Sequence, residues 1–208
     1  MQALKAGDSE ALQPGEFIST DDAVTARVRC DQLGLDPATC EETTTWSRAC
    51  NFRARTEPPL GASFCGNGVA GLFSELPVNA MLAMPPAQVA LHLRAALLAK
   101  TPDAIAAKAQ WLQRQRDAGR FVRSRFDSNA LTFIISSWVL PSRDWTEVNF
   151  AGTSGSERGP LAYDHGALVP IVVMVTPRPD GDGLSVYHQG TPEALKRFGQ
   201  ELGTSEGQ

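Results

Sequence analysis

The segment ALVPIVVMVTP, residues 167–177, constrains the fold more than any other part of the sequence. Nearly all of its residues are apolar and several are β-branched, which is typical of a β-strand. Since the run has no polar side to turn towards water, such a strand has to be covered on both faces. We therefore predict a central strand in a layered structure.

Other segments predict the remaining elements of a mixed architecture. Residues 129–140 are β-branched and aromatic, and residues 42–54 are rich in threonine and aromatic side chains, so both predict strands. Glycines at 181 and 183 around Asp182 predict a hairpin turn, after which residues 184–190 return antiparallel.

Helices are predicted mainly in the first half of the chain. Residues 18–34 begin with Ser19 or Thr20 as N-cap and have Asp21 and Asp22 in the first turn, where carboxylates favour the positive end of the helix dipole. Two adjacent helices follow at 85–100 and 101–118, and a last one is predicted at 191–202.

Helices early and strands late predict an α+β domain with a single mixed sheet flanked by helices. The domain covers residues 17–202, between a lead-in at 1–16 and a tail at 203–208.

Composition and charge exclude several classes of function. With 208 residues, 42% of them hydrophobic, the chain can bury a sizeable core. The net charge of −4 arises from interspersed acidic and basic residues, so neither nucleic acid nor a membrane surface is an expected partner. Residues 1–17 contain no apolar segment typical of a secretory signal, and the expected location is the cytoplasm.

The four cysteines do not predict a metal site. Cys30, Cys40, Cys50 and Cys65 have no close pairing and no neighbouring histidine, whereas zinc ligands usually come in close pairs. We interpret them as free thiols and expect no bound metal.

Gly66, Gly68 and Gly71 form a G-x-G-x-x-G pattern, the spacing of a dinucleotide-binding loop. That site needs a helix opening at the last glycine and an acidic residue about 20 positions later. Pro77 interrupts the would-be helix and no suitable acid follows, so the sequence argues against a nucleotide phosphate here.

No residue is predicted to be catalytic. The candidate bases are His92, His165 and His188, and none has a carboxylate placed to orient its ring. A Ser/His/Asp site that uses Ser136 or Ser137 is a minor alternative. The acidic pairs Asp21–Asp22 and Glu41–Glu42 are interpreted as helix-start and solvated residues.

The segments FISTDDAVTA, NFRARTEPPLGASFCGNGV and FIISSWVLPSRDWTEVNFAG, in this order, resemble the C-terminal half of the BAHD acyltransferases, and particularly the fungal branch that includes trichothecene acetyltransferases. The resemblance covers residues 17–202. It implies one lobe of the chloramphenicol acetyltransferase-like two-domain fold.

The resemblance implies an acyl-CoA-dependent O- or N-acyltransferase of secondary metabolism that acetylates a small-molecule acceptor. Acyl-CoA would be a co-substrate, with no permanently bound cofactor. Ser136, Ser137 and Trp138 would face the acyl-CoA channel. The residues with an implied structural role are Arg53, Gly66, Asn67, Asn149 and Phe150.

Two features of the family are missing from this sequence. The catalytic His-x-x-x-Asp is absent, because Ala96, Val169 and Pro192 stand four positions after the three histidines. Asn149 stands where the family has an aspartate that pairs with the arginine matched by Arg53.

Three hypotheses follow from these departures. The chain is a C-terminal lobe that needs an N-terminal lobe or self-association, or an inactive truncated remnant or binding partner, or a stand-alone cyclase-like enzyme on half the scaffold. The opening residues MQALKAGDSE resemble the sequence that joins the two lobes more than a natural beginning.

Overall fold

A computed structural model describes residues 12–33, 41–61, 63–122, 132–138, 172–177 and 183–188, together with residue 196. The helices in these ranges are α1 (Thr20–Leu33), α2 (Val78–Ala83), α3 (Pro86–Leu98) and α4 (Pro102–Asp117). The strands are β1 (Thr43–Asn51), β2 (Val69–Pro77), β3 (Thr132–Ser137), β4 (Val172–Pro177) and β5 (Leu184–His188).

The strands form one mixed sheet in the order β2-β1-β3-β4-β5. β1, β3 and β4 are parallel to one another, with Trp46 opposite Phe133 and Ser137 opposite Val175. β2 and β5 pair antiparallel at the two edges. The α+β class with a single mixed sheet and helices is therefore confirmed. The apolar run forms β4, an inner strand, although β3 occupies the middle of the sheet.

Helices α1 and α3 pack against one face of the sheet. Because side chains alternate between the faces of a strand, every second residue points towards these helices. Trp46 from β1, Ile135 from β3 and Val173 from β4 are buried there. Val89 and Leu93 of α3 complete this core.

The N-terminus of α1 is fixed by a reciprocal cap. The backbone N–H of Asp22 donates to Ser19 Oγ at 3.2 Å, and the backbone N–H of Ser19 donates to the Asp22 carboxylate at 2.9 Å. Ser19 is therefore the N-cap, with a carboxylate in the place that a capping box gives to glutamate. Thr101 caps α4 in the predicted way, accepting from the N–H of Ala104.

β2 and the short helix α2 are elements that the sequence did not predict. Gly71 lies inside this strand opposite Ala49, so no helix opens at the third glycine of the G-x-G-x-x-G pattern. Gly68 has a packing role instead, because a Cβ at this position would lie 2.6 Å from the Arg53 guanidinium carbon. This finding agrees with the rejection of a dinucleotide site.

Some predictions fall on residues outside the described ranges. The helix predicted at 191–202 is described only at Lys196, which is helical. Gly34, Asn149, Phe150 and His165 also lie outside these ranges. Within them, none of the helices combines the length and the hydropathy that crossing a bilayer requires.

Candidate functional site

The three parallel strands end at the same edge of the sheet. Cys50 and Asn51 close β1, Ser137 closes β3 and Pro177 closes β4. The carboxyl ends of parallel strands are where open α/β sheets commonly bind ligands. The candidate site is therefore built at this edge, together with the ends of α1 and α3.

Arg48 of β1 is the central charged group of this region, and its side chain is only 5% exposed. Its Nη1 donates to Asp21 Oδ2 at 3.1 Å and to Asp22 Oδ1 at 2.9 Å, and its Nη2 donates to the carbonyl oxygen of Leu93 at 2.7 Å. One guanidinium thus ties the sheet to α1 and α3.

Asp22 is the buried anion of the cluster, with a side chain 1% exposed. Burial alone would raise the pKa of its carboxyl, but hydrogen bonds from Ser19 and Arg48 and the charge of Arg48 hold that pKa below its ordinary value. Arg94 Nε also lies 3.1 Å from Asp22 Oδ2. Asp22 is therefore ionised at neutral pH.

Asp21 lies next to it at the surface, and 41% of its side chain is exposed. Desolvation raises the pKa of Asp21 above its ordinary value, and the negative charge of Asp22 adds to this effect. The charge of Arg48 and hydrogen bonds with Ser137 and Arg48 oppose it without reversing it. Asp21 therefore connects the buried ion cluster to the end of β3.

A cavity of about 210 Å³ opens beside this cluster. It is smaller than the roughly 300–1,000 Å³ of pockets that enclose a whole drug-sized ligand, so it fits only one end of such a molecule. The lining residues are Asp21, Arg48, Ala49, Cys50, Asn51, Arg55, Leu72 and Leu97.

The side chains predicted to face acyl-CoA do not all lie on the same face of the sheet. Ser137 contacts Asp21 on the side of the sheet covered by α1 and α3. Ser136 belongs to the opposite face by strand alternation and accepts a hydrogen bond from Trp138 Nε1 at 3.0 Å. Ser137 thus contacts Asp21, a residue that lines the cavity. The role of all three in acyl-CoA binding stays a prediction.

The residues predicted to shape the loop lie between β1 and β2. The guanidinium of Arg53 is 5.9 Å from the centre of the Phe64 ring, and its Nη2 donates to the carbonyl oxygen of Gly66 at 3.0 Å. Asn67 Oδ1 accepts from the N–H of Val69 at 2.9 Å. These contacts close the loop on itself. The pairing of Arg53 with Asn149 stays a prediction, since Asn149 is outside the described residues.

His92 contacts a main-chain carbonyl rather than a carboxylate. Its Nε2 lies 3.1 Å from the carbonyl oxygen of Glu75 and so links α3 to β2. Only the backbone of His188 is described, within β5. No group of three histidine, cysteine, aspartate or glutamate side chains that could hold a metal occurs in the part of the chain that the structure describes.

The sequence does not single out Arg48 as a site residue, and the interpretation of Asp22 as a solvated residue is wrong. Asp22 was expected to be a solvated helix-start residue, but the structure buries it between Arg48 and Arg94. A signal was available, because the two-residue period of β1 places Arg48 on the same face as Trp46. A buried guanidinium requires a carboxylate partner, and Asp22 is that partner.

Solved structures with the same fold include coenzyme A complexes. TRI101 of F. sporotrichioides, crystallised with coenzyme A and T-2, matches with a TM-score of 0.67 and 19% identity, over 94% of this chain and 45% of its own. Vinorine synthase matches with a TM-score of 0.62 and 16% identity, over 97% and 44%. Polyketide synthase associated protein 5 from Mycobacterium tuberculosis matches with a TM-score of 0.51 and 12% identity, over 97% and 47%.

The chain thus spans less than half the length of these structural neighbours. No protein-family model matches the sequence, and no curated protein is significantly similar to it. The neighbours confirm the expected fold, one lobe of the chloramphenicol acetyltransferase-like two-domain fold.

Proposed function

We propose that this chain is the C-terminal lobe of an acyl-CoA-dependent O- or N-acyltransferase of secondary metabolism, with a hydroxyl as the favoured acceptor of an acetyl group. The observation that carries the proposal is the fold match over 94% of the chain to TRI101, a protein crystallised with coenzyme A. The order of the three sequence segments that resemble the BAHD family supports the same conclusion and favours its fungal branch.

In this proposal the chain binds and orients acyl-CoA rather than activating the acceptor. Ser137 would face the thioester end, because it contacts Asp21, which lines the cavity. The base that removes the acceptor proton would come from a His-x-x-x-Asp segment outside this sequence. His92 is not assigned this role in the proposal, because its Nε2 contacts the main-chain carbonyl of Glu75 rather than a carboxylate.

A partner surface is part of the proposal. Leu98, Trp111 and Leu112 on α3 and α4, together with Phe121 beyond them, expose large apolar side chains. Exposed apolar side chains of this kind are typical of contact surfaces. The partner would be an N-terminal lobe or a second copy of the chain. Sedimentation of the purified chain tests this point, and a monomer at every concentration would argue against self-association.

Calorimetric titration with coenzyme A tests the proposed function. We expect binding by the chain alone, and acetyl transfer from acetyl-CoA to a panel of alcohols and amines only when a lobe carrying His-x-x-x-Asp is co-expressed. The matched control is that lobe with its histidine replaced by alanine. Turnover by the chain alone would support a stand-alone enzyme, whereas absence of coenzyme A binding would support an inactive remnant.

Ser137→Ala and Ser136→Ala separate the two faces of β3 in the same titration. Ser137→Ala should weaken coenzyme A binding about threefold to tenfold, the effect of losing one hydrogen bond. Ser136→Ala should have little effect because Ser136 bonds to Trp138 on the opposite face. The reverse result would place the acyl-CoA channel on the other side of the sheet.

A further inference from the structure

Arg55 lines the cavity at the end of β1. Arg55 ends the short 3-10 turn Arg53–Arg55, and its Nη1 makes one long contact of 3.5 Å with the carbonyl oxygen of Leu97. Among the described residues no carboxylate forms an ion pair with it. Arg55 therefore carries a charge that other groups of the cavity leave available.

Arg48 is the second arginine that lines the cavity. Its two terminal nitrogens are engaged by Asp21, Asp22 and the carbonyl oxygen of Leu93, and its Nε is buried without a hydrogen-bond partner among the described residues. Arg48 therefore contributes positive charge to the cavity wall, while Arg55 is the arginine with donors left for a ligand.

Among the described residues around the cavity, the charges add up to a positive value. Asp21 and Asp22 are balanced by Arg48 and Arg94, with which they form ion pairs of 2.9–3.1 Å. Arg55 is the remaining charge. Asp21 is the one carboxylate among the cavity's lining residues, and its contact with Arg48 moderates its repulsion of an anion.

The other lining groups agree with an anionic ligand. Asn51 lines the opening and Cys50 its wall, while Leu72 and Leu97 supply an apolar side. The volume of about 210 Å³ corresponds to roughly seven waters at about 30 Å³ each. A phosphate or carboxylate group with a short stem fits such a space, and the arginine fork suits the oxygens of either group.

We propose that this cavity is an oxyanion-binding site in which Arg55 holds the phosphate or carboxylate end of a ligand, beside the ion-paired guanidinium of Arg48. The site lies at the carboxyl ends of the parallel strands but does not require acyl transfer, because the positive charge of Arg55 selects the ligand. It could therefore be occupied whether or not the chain binds acyl-CoA.

The test follows the arginine Nε–H signals of the full chain by ¹⁵N–¹H NMR while phosphate replaces chloride at constant ionic strength. We expect saturable shifts of the Arg48 and Arg55 signals with a millimolar dissociation constant. Arg55→Gln should weaken this binding at least tenfold. Arg114→Gln, the same charge change on α4, should leave it unchanged.

Three outcomes would overturn the proposal. They are the absence of saturable shifts in the wild-type chain, equal binding by wild type and Arg55→Gln, and equal weakening by Arg55→Gln and Arg114→Gln. Arg55→Lys serves as a second variant that keeps the charge but loses the fork, and it should bind more weakly than the wild type and more tightly than Arg55→Gln.

Competition with bound phosphate shows whether the oxyanion belongs to a cofactor phosphate or to a carboxylate ligand. Coenzyme A that displaces phosphate while pantetheine, which lacks phosphates, does not would assign the site to a cofactor phosphate. Acetate that displaces phosphate while coenzyme A does not would assign it to a carboxylate ligand. In the second case the oxyanion site stands and the acyl-CoA proposal weakens, so the two proposals can fail separately.

Discussion

The Arg48 cluster and helix α4 show two different ways of holding a helix in this fold. In the cluster, Arg48 binds Asp21 and Asp22 of α1 and the last turns of α3, and the side chains of Arg48 and Asp22 are almost entirely dehydrated. Helix α4 has 16 residues and buries none of them. The first region is stabilised by tertiary contacts and the second mainly by its own sequence. Mutations of the same chemical kind should therefore have very different effects in the two regions.

The largest difference is expected for arginine. Arg48→Met should lower the free energy of unfolding by about 3–5 kcal/mol, because it leaves buried Asp22 without its main partner. Arg114→Met on α4 should change it by no more than about 0.5 kcal/mol, since that residue is exposed. Urea unfolding followed by circular dichroism measures both.

A double variant tests the reason given for this effect. Adding Asp22→Asn to Arg48→Met should recover part of the lost stability, because it removes the uncompensated charge. If the double variant is less stable than Arg48→Met alone, charge burial is not the cause.

Replacement of a leucine by alanine should give the next largest difference in unfolding free energy between the two regions. Leu93→Ala removes a fully buried side chain of α3 and should cost about 2–5 kcal/mol, the range for a core cavity. Leu112→Ala on α4 removes a side chain that is exposed and should cost under about 1 kcal/mol. A comparable loss in both variants, measured in the same urea titration, would mean that a partner covers α4 in solution.

The dependence of the unfolding free energy on pH distinguishes the contributions of Asp21 and Asp22. The folded-state pKa of Asp22 is lowered, so its stabilising contribution is present above its ordinary pKa of about 4 and is lost as the pH falls through the folded value. The folded-state pKa of Asp21 is raised, so its protonation favours the folded state as the pH falls towards about 4.

The two carboxylates should therefore act in opposite directions. In urea midpoints measured from pH 7 to pH 3, the loss of stability should be shallower in Asp22→Asn below about pH 4 and steeper in Asp21→Asn above it. Leu112→Ala on α4, which changes no titratable group, is the control, and its pH curve should run parallel to that of the wild type. Parallel curves for all four proteins would contradict this assignment of pKa directions.

Loss of either N-cap should cost a similar free energy, but each loss should be detected by a different measurement. Ser19→Ala and Thr101→Ala each remove a cap worth about 1 kcal/mol. Ser19 is joined to the buried cluster through Asp22, so its loss should appear in global unfolding. Loss of Thr101 should instead raise amide hydrogen exchange within α4 alone. Global destabilisation by Thr101→Ala would show that α4 unfolds together with the core.

Much of the fold follows from the sequence because its signals are local. The caps at Ser19 and Thr101, the prolines that open α3 and α4, and the β-branched runs of β3 and β4 each act within a few residues. The exceptions are β2 and the short helix α2. β2 contains Gly71 and mixes small, apolar and charged residues, which gives a weak strand pattern. β2 forms because its backbone pairs with β1 along nine positions.

The candidate site was harder to predict because its contacts are distant in sequence. Arg48 meets Asp22 across 26 positions and Leu93 across 45, and nothing in a local window indicates such partners. The resemblance implies that Ser136, Ser137 and Trp138 face the acyl-CoA channel together. Strand alternation places Ser136 and Ser137 on opposite faces of the sheet, and Ser137 contacts Asp21, which lines the cavity.

The parallel pairing of β1 with β3 also affects how the molecule is made. Trp46 faces Phe133, so roughly ninety residues must be synthesised before β1 acquires its second neighbour. At about 5–20 residues per second, that interval lasts roughly 4–17 s on the ribosome. During this time β1 and β2 can form their hairpin under α1 and α3, while the other edge of β1 stays open to pairing with another chain. A chaperone that shields this nascent edge would therefore raise the yield of folded protein more than one that acts after release.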